Sequence, residues 1–264
     1  MHGYAYARWP FGYIGSALAK RRELRWLRLL FAPFLLLALQ PRKWAEEYHG
    51  KVVPTAIATR LVTVLEDLTL QQPERVIPFT GARDLILRHP DHIVALDCPC
   101  RMARLNPCLP LDVCLIVGDP FAGFILEHHP QHARAITQGE AVSILVAEAQ
   151  RGHVHHAFFK RAMLDRFYAI CNCCSCCCGA MQAQRSGTPM LIASGYISQA
   201  EEVRCQSCGK CAGICPFGAI HIQGCAIIDK QVCMGCGVCV KACPNGVFQL
   251  VLDESKPEAL MIPT

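Results

Sequence analysis

The chain has 264 residues, 52% hydrophobic and 18% charged, with a formal net charge of +5. That excludes a disordered tail or a small disulfide-stapled peptide and leaves room for two domains with a buried core. Lys plus Arg (26) nearly balance Asp plus Glu (21), and the only dense basic run is Lys20-Arg21-Arg22 with Arg25 and Arg28, so no nucleic-acid partner is expected.

Residues 1–50 form an amphipathic and apolar N-terminal segment. Arg21, Arg25 and Arg28 recur at helical spacing, with Leu24, Leu27 and Phe31 on a neighbouring face. The apolar stretch Leu29–Leu39 carries Pro33 and is well short of the roughly 20 residues that span a bilayer. The expectation is a helix within residues 20–40 that lies on a membrane surface or a partner subunit, with a helix covering the protein's own core as the alternative. Localisation is then cytoplasmic, with peripheral attachment through this segment.

Residues 51–180 read as a cysteine-rich domain of mixed α and β structure. A helix is predicted over Thr55–Leu70, ended by Gln71-Gln72-Pro73, and a short one over Ala82–Arg88, closed by His89-Pro90. Ile93–Leu96 and Val113–Val117 are compact and β-branched, and read as buried strands around a Cys- and Pro-rich loop. Thr137-Gln-Gly-Glu140 is a capping box, so Glu140–Gln150 is a predicted helix stopped by Gly152. If Gly152–Phe159 is a strand, His153 and His155 share one side and His156 takes the other. These histidines are a candidate ligand pair or proton donor, against the plainer alternative of a polar face without chemistry. Residues 181–195 read as a linker, 196–252 as a second domain and 253–264 as a tail. The class is α+β: a mixed α/β Cys-rich domain followed by a ferredoxin-like domain with short β-hairpins.

Nineteen cysteines at irregular spacing argue against a secreted disulfide framework and for metal binding in a reducing compartment. Runs such as Cys173-Cys174 and Cys176-Cys177-Cys178 oxidise readily, which points to anaerobic or protected chemistry. Ten cysteines fall in the first domain: Cys98, Cys100, Cys108 and Cys114, then Cys171, Cys173, Cys174, Cys176, Cys177 and Cys178. Ten thiols exceed what one cubane uses. Because adjacent side chains diverge in most backbone conformations, the run 171–178 is expected to serve more than one site. One or two additional iron–sulfur clusters are predicted here, with zinc or another soft metal as the alternative.

The remaining cysteines are Cys225 and two runs in register, Cys205, Cys208, Cys211, Cys215 and Cys233, Cys236, Cys239, Cys243, offset by 28 positions. Both runs read C-x-x-C-G-x-C-x-x-x-C-P, with Gly209 and Gly237 after the second Cys and Pro216 and Pro244 after the fourth. Three thiolates at this spacing wrap three corners of a cubane, and the small Gly lets the backbone turn close to it. A pair of zinc sites would leave the third Cys, the Cys-Pro ending and the register unexplained. Cys225, outside both runs, is expected to be an inert thiol.

Over residues 196–250 the chain resembles the bacterial two-[4Fe–4S] ferredoxin family. The resemblance implies two [4Fe–4S] clusters with crossed ligation, one held by Cys205, Cys208, Cys211 and Cys243, the other by Cys233, Cys236, Cys239 and Cys215. Ala219–Gln223 and Ala226–Asp229 read as a hairpin through Gly224, with Val247–Leu252 a further strand. Asp97–Arg101 (D-C-x-C-R) and Cys171–Cys178 resemble features that uncharacterised anaerobe proteins pair with a ferredoxin tail, which brings no reaction with it. Cys177-Cys178-Gly179 resembles the Cys-Cys-Gly signature of heterodisulfide-reductase-type domains, but the partner cysteines of that signature are not found at matching distances, so no catalytic cluster is carried over.

No Walker loop, G-x-G-x-x-G fingerprint or G-x-S-x-G elbow occurs. The expected function is therefore single-electron transfer to a redox partner protein. A reductase with a site-differentiated cluster in the first domain is the alternative, and a metal-handling or assembly protein the third option.

Overall fold

The computed structural model describes residues 48–71, 75–77, 84–160, 163 and 166–263. The amphipathic segment expected within residues 20–40 lies outside these. Among the described residues no helix is long and apolar enough to cross a membrane.

The first domain runs β1 (Tyr48–Val52), α1 (Thr55–Val62), β2 (Leu68–Gln71), β3 (Asp84–Leu96), α2 (Pro99–Met102), β4 (Cys114–Asp119), α3 (Phe121–His128), β5 (Ala133–Ile136), α4 (Gln138–Gln150), β6 (Val154–Lys160), β7 (Arg166–Cys173), α5 (Gly179–Arg185) and β8 (Leu191–Ile192). The strands form one eight-stranded sheet in the order β2-β3-β4-β7-β6-β1-β8, with β5 also paired to β3. Period-two alternation divides its residues between two faces. Leu115, Val117, Ala157, Phe159 and Ile170 join a core completed by Ile57 and Leu61 of α1 and Leu145 of α4. Burying each such side chain contributes roughly 1.5–3 kcal/mol. The opposite face of the central strands carries cysteines.

Lys51 lies at the edge of that core, fully buried. Its ammonium donates to the carbonyls of Glu258 at 2.7 Å, Val76 at 3.0 Å and Pro257 at 3.5 Å, tying the chain end to the sheet. Burial lowers its pKa to about 7, with the Glu258 charge pulling the other way.

Several local expectations are corrected. Ala82–Arg88 was expected as a helix, yet Asp84–Leu96 is one strand, because Leu85 and Leu87 alternate inward against the core. Pro90 does not end it; it sits where the pairing with β4 shifts between Arg88 and Ile93, a bulge at which a missing N–H is tolerated. The predicted helix Thr55–Leu70 stops at Val62 and gives way to β2. Residues 181–195, expected as a linker, carry most of α5 and also β8, which pairs in parallel with β1. The cap at α4 is present: Thr137 Oγ1 accepts from the Glu140 amide at 3.2 Å.

The C-terminal lobe comprises β9 (Tyr196–Ala200), a 3₁₀ turn (Glu202–Arg204), α6 (Lys210–Ile214), β10 (Ile220–Gln223), β11 (Cys225–Ile228), α7 (Val238–Ala242) and β12 (Phe248–Leu252). β9 pairs antiparallel with β12, and β10 with β11 through Gly224. The 28-residue offset extends into its packing: Cys211 and Cys239, Ala219 and Val247, and Ile220 and Phe248 are all buried in the lobe's small cores. The lobe packs on the end of α4. A methyl added at Gly152 (φ +77°) would meet Ile214 of α6 at 2.9 Å and Val238 of α7 at 3.8 Å.

Candidate metal centres

In the C-terminal lobe the two Cys runs surround two cavities of similar size. Cys205, Cys208, Cys211 and Cys243 line one of about 320 Å³. Cys215, Cys233, Cys236 and Cys239 line the other, of about 340 Å³. Gly209 (φ +74°) and Gly237 (φ +81°) cap α6 and α7 in the left-handed conformation, and each turn starts its helix beside its cavity. Burial pushes the Cys239 thiol up to about 11, opposed by Ser198, whose hydroxyl lies 3.1 Å from the sulfur. The Ser198 amide lies 3.5 Å from Cys233 Sγ. The amide donates to sulfur, and the hydroxyl, which accepts from the Cys239 thiol, turns donor once that thiol is ionised, so both stabilise sulfur charge. Cys225 lies in β11 and lines neither cavity.

The ten cysteines of the first domain separate into two groups. Cys114 on β4 and Cys171 on β7 are register partners, and Cys171 is in turn the partner of His156 on β6, so the three form a row across adjacent strands. Cys173 lies two residues on, on the same face. Cys98 precedes α2, Cys100 lies within it, and Cys178 precedes α5. Thiol contacts run Cys171–Cys114–Cys98–Cys100–Cys178–Cys173. The hydrogen bond from Cys178 draws the Cys173 thiol down to about 6, and His156 acts in the same direction against burial. His156 is fully buried, and its ring meets the Cys173 thiol.

The second group is Cys108, Cys174, Cys176 and Cys177, whose sulfurs all lie within 4.8 Å of one another. Cys108 comes from the loop after α2, and the other three from the turn between β7 and α5.

A buried polar network lies beside both groups. Arg101 donates to Glu148 at 2.5 Å and to the Asn172 carbonyl at 3.1 Å, and also bonds the Pro110 carbonyl. His153 Nδ1 lies 2.6 Å from the same Glu148 oxygen. Burial opposes ionisation of Glu148, but hydrogen bonds from His153 and Arg101 hold its carboxyl below the ordinary value. Arg101 also lies near enough to Cys174 and Cys98 to interact with their charge. His155 pairs with Asn172 at 2.5 Å and Thr55 at 3.2 Å, and burial lowers it to about 4. Thus His153 and His155 belong to this network, while His156 faces the cysteines. Sequence reasoning passed over Arg101 and Glu148 as a pair. Their signals were the Arg directly after D-C-x-C, and the helical spacing that puts Glu148 on the buried face of α4 with Ala141 and Leu145.

Comparison with protein families agrees with the cysteine runs. The sequence pattern of the 4Fe-4S binding domain matches residues 201–221 and 226–249, each span holding one four-cysteine run. No curated protein and no solved structure matches the chain. The C-terminal lobe is therefore similar to ferredoxin-type 4Fe-4S binding domains, which supports an iron–sulfur electron-transfer role.

Proposed function

We propose that the protein relays single electrons between redox partner proteins through two [4Fe–4S] clusters in the C-terminal lobe and one further iron–sulfur cluster in the first domain. The observation that carries this is the crossed lining of the two cavities, in which the fourth cysteine of each run joins the first three of the other. Cys205, Cys208, Cys211 and Cys243 would hold one cluster, and Cys233, Cys236, Cys239 and Cys215 the other. The further cluster would draw its ligands from Cys98, Cys100, Cys114, Cys171, Cys173 and Cys178. When bound, such clusters supply one-electron redox chemistry with no open coordination position on a four-thiolate cubane. The protein's own residues bury the sulfurs, donate hydrogen bonds to them and link the two domains.

That link supports a relay direction. α5 begins next to Cys178, and its last residue, Arg185, reaches the carbonyl of Pro216, which follows Cys215. One short helix thus connects the six-cysteine group to the second cavity. The first cavity includes the exposed Cys208 and is the point where a partner protein exchanges electrons.

Iron and sulfide counting on anaerobically purified protein tests the proposal: about twelve irons are expected, at four per cubane, falling to about eight in C114S or C171S. About eight irons in the wild type would remove the third cluster, and zinc at the repeat cysteines would remove the relay.

A second function, a reductase with a site-differentiated cluster, is favoured by one observation. Six thiols and His156, whose buried ring meets Cys173, offer more donors than a cubane uses. Its signature is a paramagnetic spectrum of the reduced protein that changes on adding cyanide or azide; an unaffected spectrum supports the relay.

A further inference from the structure

We propose that Cys108, Cys174, Cys176 and Cys177 bind a single zinc ion, a site separate from the iron–sulfur centres and independent of the electron-transfer proposal. Their four sulfurs converge to within 4.8 Å of one another, with Cys108 to Cys176 at 3.0 Å and Cys176 to Cys177 at 3.8 Å. Four thiolates around one tetrahedral zinc, each at about 2.3 Å, stand about 3.8 Å apart. The group therefore has the dimensions of a mononuclear site. In a cubane each thiolate is carried outward on its own iron, so its sulfurs stand wider apart. The repeat cysteines are spread more widely: among the described residues, no three of their sulfurs lie within 4.8 Å of one another. Tetrahedral all-sulfur coordination selects zinc or iron, and the convergence decides for a single ion over a cluster, for which zinc is the usual structural occupant.

The surroundings fit a bound dication. Arg104 donates to the Cys177 carbonyl at 3.2 Å and to Gln182 at 2.6 Å, and Gln182 donates to the Cys176 carbonyl at 2.7 Å. These bonds set the backbone of the turn from which three of the thiols project, as outer partners orient metal ligands elsewhere. Four thiolates and one Zn²⁺ leave a net negative charge, and Arg101 and Arg104 are the cations beside it. Binding releases the thiol protons to solvent, which Cys176 reaches directly.

The site also has a structural consequence. Its turn is flanked by Cys173 and Cys178, both members of the buried six-cysteine group. Zinc would tie that turn to the Cys108 loop and hold those two thiols at a fixed separation.

The test is zinc and iron content of the anaerobically purified full chain, with zinc X-ray absorption. The expected result is one zinc per chain, coordinated by four sulfurs at about 2.3 Å. C108S and C176S, at solvent-accessible positions, should lose the zinc and keep their iron, and C225S should keep both. The proposal is overturned by a wild type without zinc, by zinc retained in both variants, by a Cys108–Cys176 disulfide found on alkylation and mass spectrometry, or by a loss of about four irons in C108S, which would assign the group to a cubane. Because zinc is the readout, failure here is distinct from failure of the iron-based relay.

Discussion

Replacing Arg101 by Met strips a charged partner from a carboxylate that water does not reach. The two side chains are 1% and 0% exposed and meet at 2.5 Å. Removing one partner of such a buried pair costs about 3–5 kcal/mol. Glu148 retains His153 at 2.6 Å and Arg151 at 3.0 Å, which puts the expected loss at the lower end, about 3 kcal/mol. The double variant R101M/E148L removes both charges, and apolar replacement of a whole buried pair is often nearly neutral, so it should be more stable than R101M alone. Denaturant unfolding of anaerobic protein, followed by circular dichroism, supplies the midpoints and slopes. A loss below about 1 kcal/mol for R101M, or a double variant as unstable as the two single variants summed, would refute the buried-pair account. Arg101 is also a cation near Cys98 and Cys174. Its loss should therefore make the reduction potential of the first-domain centre more negative, since less positive charge remains to stabilise the added electron.

Lys51 predicts a pH dependence. Burial lowers it to about 7 from 10.5, so between those values the unfolded chain binds the extra proton and stability rises with pH, by up to about 1.4 kcal/mol per unit, flattening below about 7. Unfolding midpoints measured from pH 6 to 10 should show that rise in the wild type and lose it in K51M; the same slope in both would exclude Lys51 as its source. Gly235 (φ +65°) has no room for a methyl, which would collide with the Tyr196 carbonyl and the Ser194 hydroxyl. G235A should lower stability by about 1–3 kcal/mol and empty the second cavity of about four irons, and full iron retention would contradict this. At Ser198, removal of the hydroxyl beside Cys239 deletes a donor worth about 1 kcal/mol, so S198A should move one C-terminal potential negative by about 40 mV for a one-electron couple. An unshifted redox titration would show that the hydroxyl does not touch a charged ligand.

The C-terminal lobe was legible because its chemistry is local. Three thiols at two-residue spacing, a Gly that turns left-handed and a closing Cys-Pro define each half, the same pattern recurs 28 positions on, and the resemblance to two-cluster ferredoxins implies that the halves exchange their fourth cysteines. The α4 cap was legible for the same reason, since Thr137 and Glu140 are three residues apart. The stretch 84–96 was misread because His89-Pro90 resembles a helix stop, whereas the alternation of Leu85 and Leu87 carried the true period. A proline's meaning depends on whether its neighbours pair across a bulge, and that is settled by β4, where Ile93 meets Val117 and Arg88 meets Asp119.

The division of the ten remaining cysteines was beyond reach for a related reason: it is decided by strand parity and by where the strand ends. Along β7, Cys171 and Cys173 share a face, while Asn172 between them points to His155. The turn from Cys174 to Cys177 leaves the sheet, so its thiols meet Cys108 from a distant loop. Cys178 then re-enters at the head of α5 and returns to Cys173. Adjacent Cys173 and Cys174 are thereby separated, while adjacent Cys176 and Cys177 are brought together, an outcome that spacing alone does not distinguish. A one-residue slip of β7 would exchange Cys171 and Cys173 with Asn172, and would put a cysteine where the Asn172 side chain now pairs with His155 and donates to the Val113 carbonyl. The buried Asn172 side chain and its two partners thus penalise the wrong register of the strand that carries the cysteines.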